Sequence, residues 1–236
     1  MNPDLTLEAH CQCWESTHGM WVDHTTMSRA IRRVGWTRKK KTMGASERNE
    51  QERAAWREEA DKLPANQLVV VDECGSNIAL TPLYARAPKG QRVHGKVPRN
   101  RGKNTTLIAS LSLQGLGAAM TLEGSANAVA FEMYVEHFLA PSLQPGQIVM
   151  MDNLRAHKGE RVRQAIEAKG CQLLFLPGYS PDFSPIEEAF SKLKAALRRA
   201  GARTREALQE AISQALLTIT AEACPRLVPA LWLSLL

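Results

Sequence analysis

The chain has 236 residues, of which 44% are hydrophobic and 23% charged, and its formal net charge at neutral pH is +6. This composition predicts a soluble, globular protein with a substantial core. No stretch approaches the roughly 18 uninterrupted apolar residues of a membrane span, and the N-terminus lacks the pattern of a signal peptide. The five cysteines are scattered and do not suggest a disulfide framework. We therefore expect a cytoplasmic protein with reduced thiols.

The basic residues are clustered along the chain. No acidic residue lies between Glu73 and Glu123, a stretch that contains Arg86, Lys89, Arg92, Lys96, Arg99, Arg101 and Lys103. A second cluster includes Arg29, Arg32, Arg33, Lys39 and Lys40. A third lies between Lys192 and Arg205. Three separate clusters suggest a polyanionic partner, because contacts of Lys and Arg with phosphates release counterions. Solvated surface charge is the alternative.

Residues 1–42 are predicted to form a small helical unit. Thr6 is expected to cap a first helix, and Asp23 or Thr25 a second one that stops at Gly35. The second helix resembles the latter half of a helix-turn-helix module, with its arginines opposite an apolar stripe and available to DNA. A basic, solvent-exposed helix is the alternative.

Other side chains of this unit allow further interpretations. A zinc site could be imagined from His10, Cys11, Cys13, His18 and His24, but a Cys-x-Cys pair is not the usual spacing of a zinc finger. We expect the tryptophans of the unit to form its core rather than a base-stacking platform: Trp14, Trp21 and Trp36.

Residues 43–66 are polar and are predicted to form a linker helix that ends before Pro64, and residues 67–236 are predicted to form one α/β domain. The runs LVVVDE, QIVMMD and CQLLFLP are expected as buried strands, and NIAL, TTLIASLSL and AAMTLEG as antiparallel neighbours of the first. Helices are predicted at about 128–139, stopping before Pro141, then at ERVRQAIEAK, at about 185–199 and at about 205–218. The fold class is a mixed sheet flanked by helices.

Two carboxylates follow buried strands in similar contexts: Asp72 after LVVV and Asp152 after IVMM. An unpaired buried charge is strongly disfavoured, and a bound cation would compensate it. Carboxylate oxygens are the hard ligands that Mg²⁺ prefers. A single aspartate of this kind could be a turn former or a helix cap, but two in matching positions favour a metal site.

A third ligand is expected from the helix in SPIEEAFSKLKAALRR, which offers Glu187 and Glu188. At about 100° per residue, Glu187 lies about 90° from the centre of the apolar stripe around Ile186, and Glu188 about 170°. Glu187 therefore borders the packed face and Glu188 points to solvent. We favour Glu187 as the ligand.

These residues carry a family resemblance. The segments VVVDECG, MMDNLRAHK and LPGYSPDFSPIEEAF resemble the three signature blocks of the mariner superfamily of DDE transposases, in its bacterial insertion-sequence branch. The 34 residues between Asp152 and Glu187 match a spacing of that superfamily. The stretch from ARAPKG to SLSLQG is similar to the family's segment between the first two carboxylates.

The resemblance implies an RNase H-like fold and two divalent ions, Mg²⁺ or Mn²⁺, held by Asp72, Asp152 and Glu187. It further implies cleavage of double-stranded DNA at mobile-element ends and strand transfer into target DNA by a homodimer, in a bacterial, nucleoid-associated setting. Two-metal chemistry agrees with this, because two ions can activate a water or a 3′-hydroxyl group and stabilise the leaving oxygen, so that one site can both cleave and join DNA. No covalent protein intermediate is needed. Two alternatives stay open: a truncated DNA-binding remnant that represses transposition without turnover, and an RNase H-like nuclease.

Neighbouring residues are expected to have lesser roles. Asn153 and His157 could orient a carboxylate or touch the scissile phosphate, or could simply belong to a turn and a helix start. Strand alternation sends Glu73 to the side opposite Asp72, so we interpret it as structural. Loop-shaping roles are expected for Tyr179, Asp182 and Pro185. Full-length relatives carry a bipartite N-terminal DNA-binding region, of which the chain is expected to contain only the second half.

Overall fold

The computed structural model describes residues 4–39 and 44–220. It divides the chain into two compact units, Met1–Gly44 and Ala45–Leu236. None of the helices in these described ranges is long and apolar enough to cross a lipid bilayer.

The first unit consists of two helices, α1 (Leu7–His18) and α2 (His24–Arg33). Both begin at side-chain caps. Thr6 Oγ1 accepts a hydrogen bond from the backbone N–H of Ala9, and Asp23 Oδ2 accepts one from that of Thr25. The predicted capping by Thr6 is therefore observed, and Asp23 rather than Thr25 caps the second helix.

The tryptophans of this unit do not form its core, contrary to the prediction. Their side chains are 40% exposed at Trp14, 55% at Trp21 and 42% at Trp36. Trp14 instead stacks on His18 within the same helix, with ring centroids 3.8 Å apart. Two short helices present too little surface to enclose three indole rings, and the buried hydrophobic residues of α1 and α2 are Cys11 and Met27.

The second unit is built on a five-stranded sheet. Its strands are β1 (Leu68–Ser76), β2 (Thr105–Ser112), β3 (Gly115–Glu123), β4 (Ile148–Met151) and β5 (Gln172–Phe175). They lie in the order β3-β2-β1-β4-β5. The strand β1 pairs antiparallel with β2, which pairs antiparallel with β3, whereas β1, β4 and β5 run parallel. The sheet is therefore mixed, as predicted.

Helices cover both faces of this sheet and create two core layers. The helices are α3 (Glu50–Ala60), α4 (Ala128–Tyr134), α5 (Ala140–Ser142), α6 (Glu160–Glu167), α7 (Ile186–Ala200) and α8 (Arg205–Leu216). The side chains of Leu68, Val70 and Cys74 point to the layer formed with α3, α7 and α8. Val69 and Val71 point to the layer formed with α4 and α6. The alternation along β1 therefore divides its side chains between the layers.

Three predicted elements differ from the structure. AAMTLEG, expected beside the first strand, lies in β3 and pairs with β2 instead. NIAL is a turn rather than a strand, because Asn77 Oδ1 accepts a hydrogen bond from the N–H of Ala79 and the Asn77 carbonyl accepts one from Leu80. The helix that begins at Ala128 does not stop before Pro141. It widens into a π turn over Val135–Leu139 and continues as α5, which contains Pro141. A proline inside a helix removes one backbone hydrogen bond, and the π turn directly before it is where the hydrogen-bond pattern of this helix changes.

The helix α3 is a packed element of the second unit, where the sequence predicted only a linker helix. Its Trp56 and Ala60 are buried in the same core layer as α7, and its Arg53 is fully buried. The indole N–H of Trp56 donates to the Phe175 carbonyl at the end of β5, at 3.1 Å.

Candidate active site

The register of the parallel strands places Asp72 beside Asp152. Val71 on β1 is paired with Met151 on β4, and each aspartate is the next residue along its strand direction. On its other side, Asp72 is paired with Ala109 of β2. The two aspartates therefore lie at the same level on neighbouring strands, at the point where β4 ends and β1 continues.

The Asp72 carboxyl group lies in an environment that disfavours its charge. Burial raises its pKa most, and the negative charges of Glu187, Asp152 and Glu73 raise it further. The backbone N–H of Glu73 donates to Asp72 Oδ1 at 2.7 Å and acts in the opposite direction. The resulting pKa is about 7.

Glu187 reaches this region from the first turn of α7. The buried stripe of the helix packs in the core layer beside β1 and consists of Ile186, Ala189, Phe190, Leu193 and Leu197. Glu187 is near enough for its charge to raise the pKa of Asp72. Glu188 instead lies 3.9 Å from Lys192 Nζ in an exposed ion pair. The structure therefore brings the charges of Asp152 and Glu187 close to Asp72, whereas Glu188 pairs with a lysine on its own helix.

The carboxylates of Asp72, Asp152 and Glu187 are chemically suited to bind a hard divalent cation. Carboxylate oxygens are the ligands that such ions prefer, and a cation would offset the burial and the charge repulsion that raise the pKa of Asp72. Within residues 4–39 and 44–220, however, no three His, Cys, Asp or Glu side chains already surround a point where a metal ion could bind. The side chains would have to turn toward each other to coordinate one.

His157 connects Asp152 to Glu73. This fully enclosed imidazole, 1% exposed, lies at the end of a 3-10 turn (Arg155–His157) and stacks on Phe131 at 4.0 Å between ring centroids. Its Nδ1 atom makes an ion-pair contact with Asp152 Oδ1, and its Nε2 atom lies 3.0 Å from Glu73 Oε1. Both nitrogens therefore face carboxylates, which fixes the ring between them.

The electrostatics of His157 follow from these contacts. Burial alone would lower its pKa, but the contacts with Asp152 and Glu73 outweigh burial and raise the pKa to about 9. The imidazole is therefore held as a cation at neutral pH, between two carboxylates.

Glu73 is predicted to lie on the side of β1 opposite Asp72 and to have a structural role. Strand alternation does send it to that side, yet His157 reaches both Glu73 and Asp152. The sequence signal that could have shown this is an acid next to Asp72 combined with a histidine five residues after Asp152. Asn153, by contrast, is exposed.

The basic residues predicted to bind DNA are dispersed over exposed positions. Arg29, Arg32 and Arg33 are exposed on α2, and Lys39 is exposed beyond it, whereas Lys40 lies outside the described residues. The seven basic residues from Arg86 to Lys103 lie in an irregular, exposed segment that connects β1 to β2. Long irregular segments of this kind in compact domains often carry binding functions.

A family model described as "DDE superfamily endonuclease" matches residues 67–209, which is more than half of the chain. The chain belongs to this family. The predicted membership among DDE endonucleases is thereby confirmed, and the matched range contains Asp72, Asp152 and Glu187. The family makes the chain an endonuclease by class.

The DDE endonuclease fold is shared with solved transposase structures. The chain is similar to the "Mos1 transposase paired-end complex with left transposon end", with a TM-score of 0.69 and 19% identity over 98% of this chain and 77% of that one. It is also similar to the "catalytic domain of Mos1 mariner transposase", with a TM-score of 0.57 and 16% identity over 81% of this chain and 94% of that one. The predicted RNase H-like fold is confirmed. No curated protein sequence matches the chain significantly.

Proposed function

We propose that this DDE endonuclease is a transposase, which cleaves DNA at the ends of a mobile element and joins those ends to target DNA. The observation that carries the proposal is the strand register that sets Asp72 beside Asp152, with Glu187 close enough to act on the charge of Asp72. The membership of the chain in the DDE family supports the same chemistry.

Each of the site residues has a defined part in this proposal. Asp72, Asp152 and Glu187 would hold two divalent ions, Mg²⁺ or Mn²⁺. When bound, such ions activate a water or a 3′-hydroxyl group and stabilise the leaving oxygen of an in-line phosphoryl displacement. Glu73 and His157 keep the Asp152 carboxylate in place.

The proposed partners are double-stranded DNA, both as element ends and as target, and a second copy of the chain. Solved structures with the same fold include the "Mos1 Strand Transfer Complex" and Mos1 paired-end complexes "with Mn" and "with Mg". We extend DNA binding, metal use and paired ends from those proteins to this one as part of the proposal, along with a nucleoid-associated location in a bacterium and membership of the insertion-sequence branch.

A joining assay tests the proposal. The purified chain is incubated with a labelled DNA end that carries a free 3′-hydroxyl group and with target DNA, in Mg²⁺ or Mn²⁺. Joining of the label to the target supports transposition. Binding of DNA without cutting or joining would support a repressor without turnover, and cleavage of RNA–DNA hybrids without joining would support an RNase H-like nuclease.

The pair Glu73–His157 leads to a prediction on metal affinity. His157→Ala removes the contact with Asp152 and the contact with Glu73 and leaves a hole beside Phe131, so we expect Mn²⁺ to bind about 10- to 100-fold more weakly. Glu73→Gln, which keeps the side-chain shape, should show a smaller loss in the same direction. Isothermal titration calorimetry measures both. Unchanged affinity in both variants would mean that the imidazole does not position Asp152.

The exposed basic segment leads to a second prediction. Replacing Lys96, Arg99 and Arg101 with alanine removes three cations, so the slope of log K against log salt for DNA binding should fall in magnitude by about 2 to 3. Fluorescence anisotropy over a range of salt concentrations measures this slope. The matched control removes three exposed cations on or next to α6, Arg161, Arg163 and Lys169, and should leave the slope nearly unchanged. If the slope of log K against log salt were the same in the segment variant as in the control variant, the segment from Arg86 to Lys103 would not contact DNA.

A further inference from the structure

A buried arginine links α3 to the loop that precedes α7. The side chain of Arg53 is 0% exposed, and its guanidinium makes two parallel contacts with one carboxylate. Arg53 Nη1 donates to Asp182 Oδ1 at 3.2 Å, and Nη2 donates to Asp182 Oδ2 at 2.7 Å. Arg48 Nη2 adds a contact to Asp182 Oδ2 at 3.3 Å. Such fork-to-fork pairing fixes direction as well as distance.

The residue after Asp182 is held by the same helix. The Arg53 guanidinium lies 3.8 Å from the centroid of the Phe183 ring, and Trp56 stacks on that ring at 5.1 Å with planes 14° apart. Phe183 is itself buried, 4% exposed. Two successive loop residues, one charged and one aromatic, are thus fixed on α3.

The acidity of Asp182 agrees with this geometry. Partial burial acts to raise the pKa of its carboxyl group, but the hydrogen bonds and charge of Arg53, together with the charge of Arg48, hold the pKa below its usual value. The ion pair is therefore formed throughout the neutral range.

The start of α7 depends on this loop. A 3-10 turn (Pro181–Phe183) leads directly into the helix, and Glu187 lies five residues after Asp182. The helix has no side-chain cap at Pro185. Its first turn is joined to the loop by the hydrogen bond from Glu187 N to the Ser184 carbonyl, at 3.3 Å. The first turn of α7, which carries Glu187, is therefore attached to the anchored loop.

We propose that Arg53 is a positioning residue for Glu187, acting through Asp182 and Phe183. The helix α3 then has a part in the site although it contributes no carboxylate to it: it fixes where the third carboxylate stands relative to the two strand aspartates. This inference rests on the proposed function, in which Glu187 binds a metal ion.

A purely structural role of Arg53 makes a different prediction. A buried ion pair that only stabilised the fold would, when broken, lower the melting temperature and leave metal affinity unchanged at temperatures where the protein is folded. A positioning role instead weakens metal binding in the folded protein. Metal affinity, measured well below the melting temperature, separates the two.

The test compares Mn²⁺ binding to the whole chain, followed by electron paramagnetic resonance, in the wild type and in Arg53→Met and Asp182→Asn. We expect both variants to bind Mn²⁺ about tenfold more weakly, the scale of losses when an outer partner of a metal site is removed. Arg53→Lys keeps the charge but loses the two-pronged contact, and should fall between Arg53→Met and the wild type.

Arg57→Met is the matched control. Arg57 belongs to the same helix and lies over the same Phe183 ring at 4.9 Å, but among the described contacts it has no ion pair with Asp182. Its replacement should leave Mn²⁺ affinity unchanged. Circular dichroism checks the folding of every variant, and if both Arg53 variants fail to fold, Asp182→Asn decides, because the Asp182 side chain is 47% exposed.

Asp152→Asn distinguishes failure of this inference from failure of the proposed function. If the wild type binds no Mn²⁺, or binds it as well as Asp152→Asn does, the proposed metal site is wrong. If the wild type binds Mn²⁺ more tightly than Asp152→Asn while Asp182→Asn and the folded Arg53 variants bind like the wild type, the site stands and the positioning role of Arg53 is overturned.

Discussion

Asp152→Asn is expected to reduce metal-dependent DNA cleavage by more than about 100-fold. The amide removes one of the negative charges that would hold the metal ions, so the loss should exceed the 10- to 100-fold typical of an outer partner. The variant also breaks the ion-pair contact with His157, which leaves that imidazole with Glu73 alone. Single-turnover cleavage of a labelled DNA end, in excess enzyme, measures the rate of the chemical step.

The control for this prediction is Asp61→Asn. Asp61 is an exposed aspartate at the C-terminal end of α3. Its replacement should leave the cleavage rate within about twofold of the wild type, since surface substitutions away from a site have small effects. A cleavage rate for Asp152→Asn similar to that of the wild type and Asp61→Asn would mean that Asp152 takes no part in the reaction.

Asp72→Asn is expected to stabilise the metal-free chain at alkaline pH. The pKa of Asp72 is raised from 3.8 to about 7 in the folded protein, so between these values the folded state holds a proton that the unfolded state has released. Stability is therefore lost as the pH rises through this window, and the loss is complete above about pH 7. An asparagine carries no charge and is free of this loss.

The magnitude can be bounded from the shift. About three pKa units correspond to about 4 kcal/mol, and since the amide must itself be buried, we expect Asp72→Asn to be about 1–3 kcal/mol more stable at about pH 8. The advantage should shrink toward about pH 4.5. Urea unfolding with a metal chelator present measures it at both pH values. A variant no more stable than the wild type at about pH 8 would contradict the raised pKa of Asp72 and the burial and charge repulsion that cause it.

Much of the sheet could be predicted from local patterns, because buried parallel strands are continuous apolar runs such as IVMM. NIAL is also largely apolar but forms a turn, since the side chain of Asn77 competes for the backbone N–H of Ala79. The continuation of a helix through Pro141 was not predictable either. It depends on a π turn, and that turn has no simple sequence signal.

The sequence predicts that Asp72 and Asp152 follow buried strands, but it does not predict that the two residues are neighbours. Their adjacency depends on the register of Val71 with Met151, which is a property of the folded sheet. Arg53 and Asp182 are 129 positions apart in the sequence, so no local pattern indicates their contact. An arginine in a polar helix is expected to be solvent-exposed. Only the stacking of α3 on Phe183 and the loop reveals that Arg53 is buried.

The most direct test of the transposase proposal is strand joining by the purified chain, with Mg²⁺ or Mn²⁺ and with the metal chelated. We predict that a labelled 3′-hydroxyl end is joined to target DNA only when the metal is present, and that joining is lost in Asp72→Asn, Asp152→Asn and Glu187→Gln while Glu188→Gln retains it. Glu188 is the matched control because it is adjacent on α7 and pairs with Lys192. Strand joining that persists in Glu187→Gln, or that occurs without a metal ion, would contradict the transposase proposal.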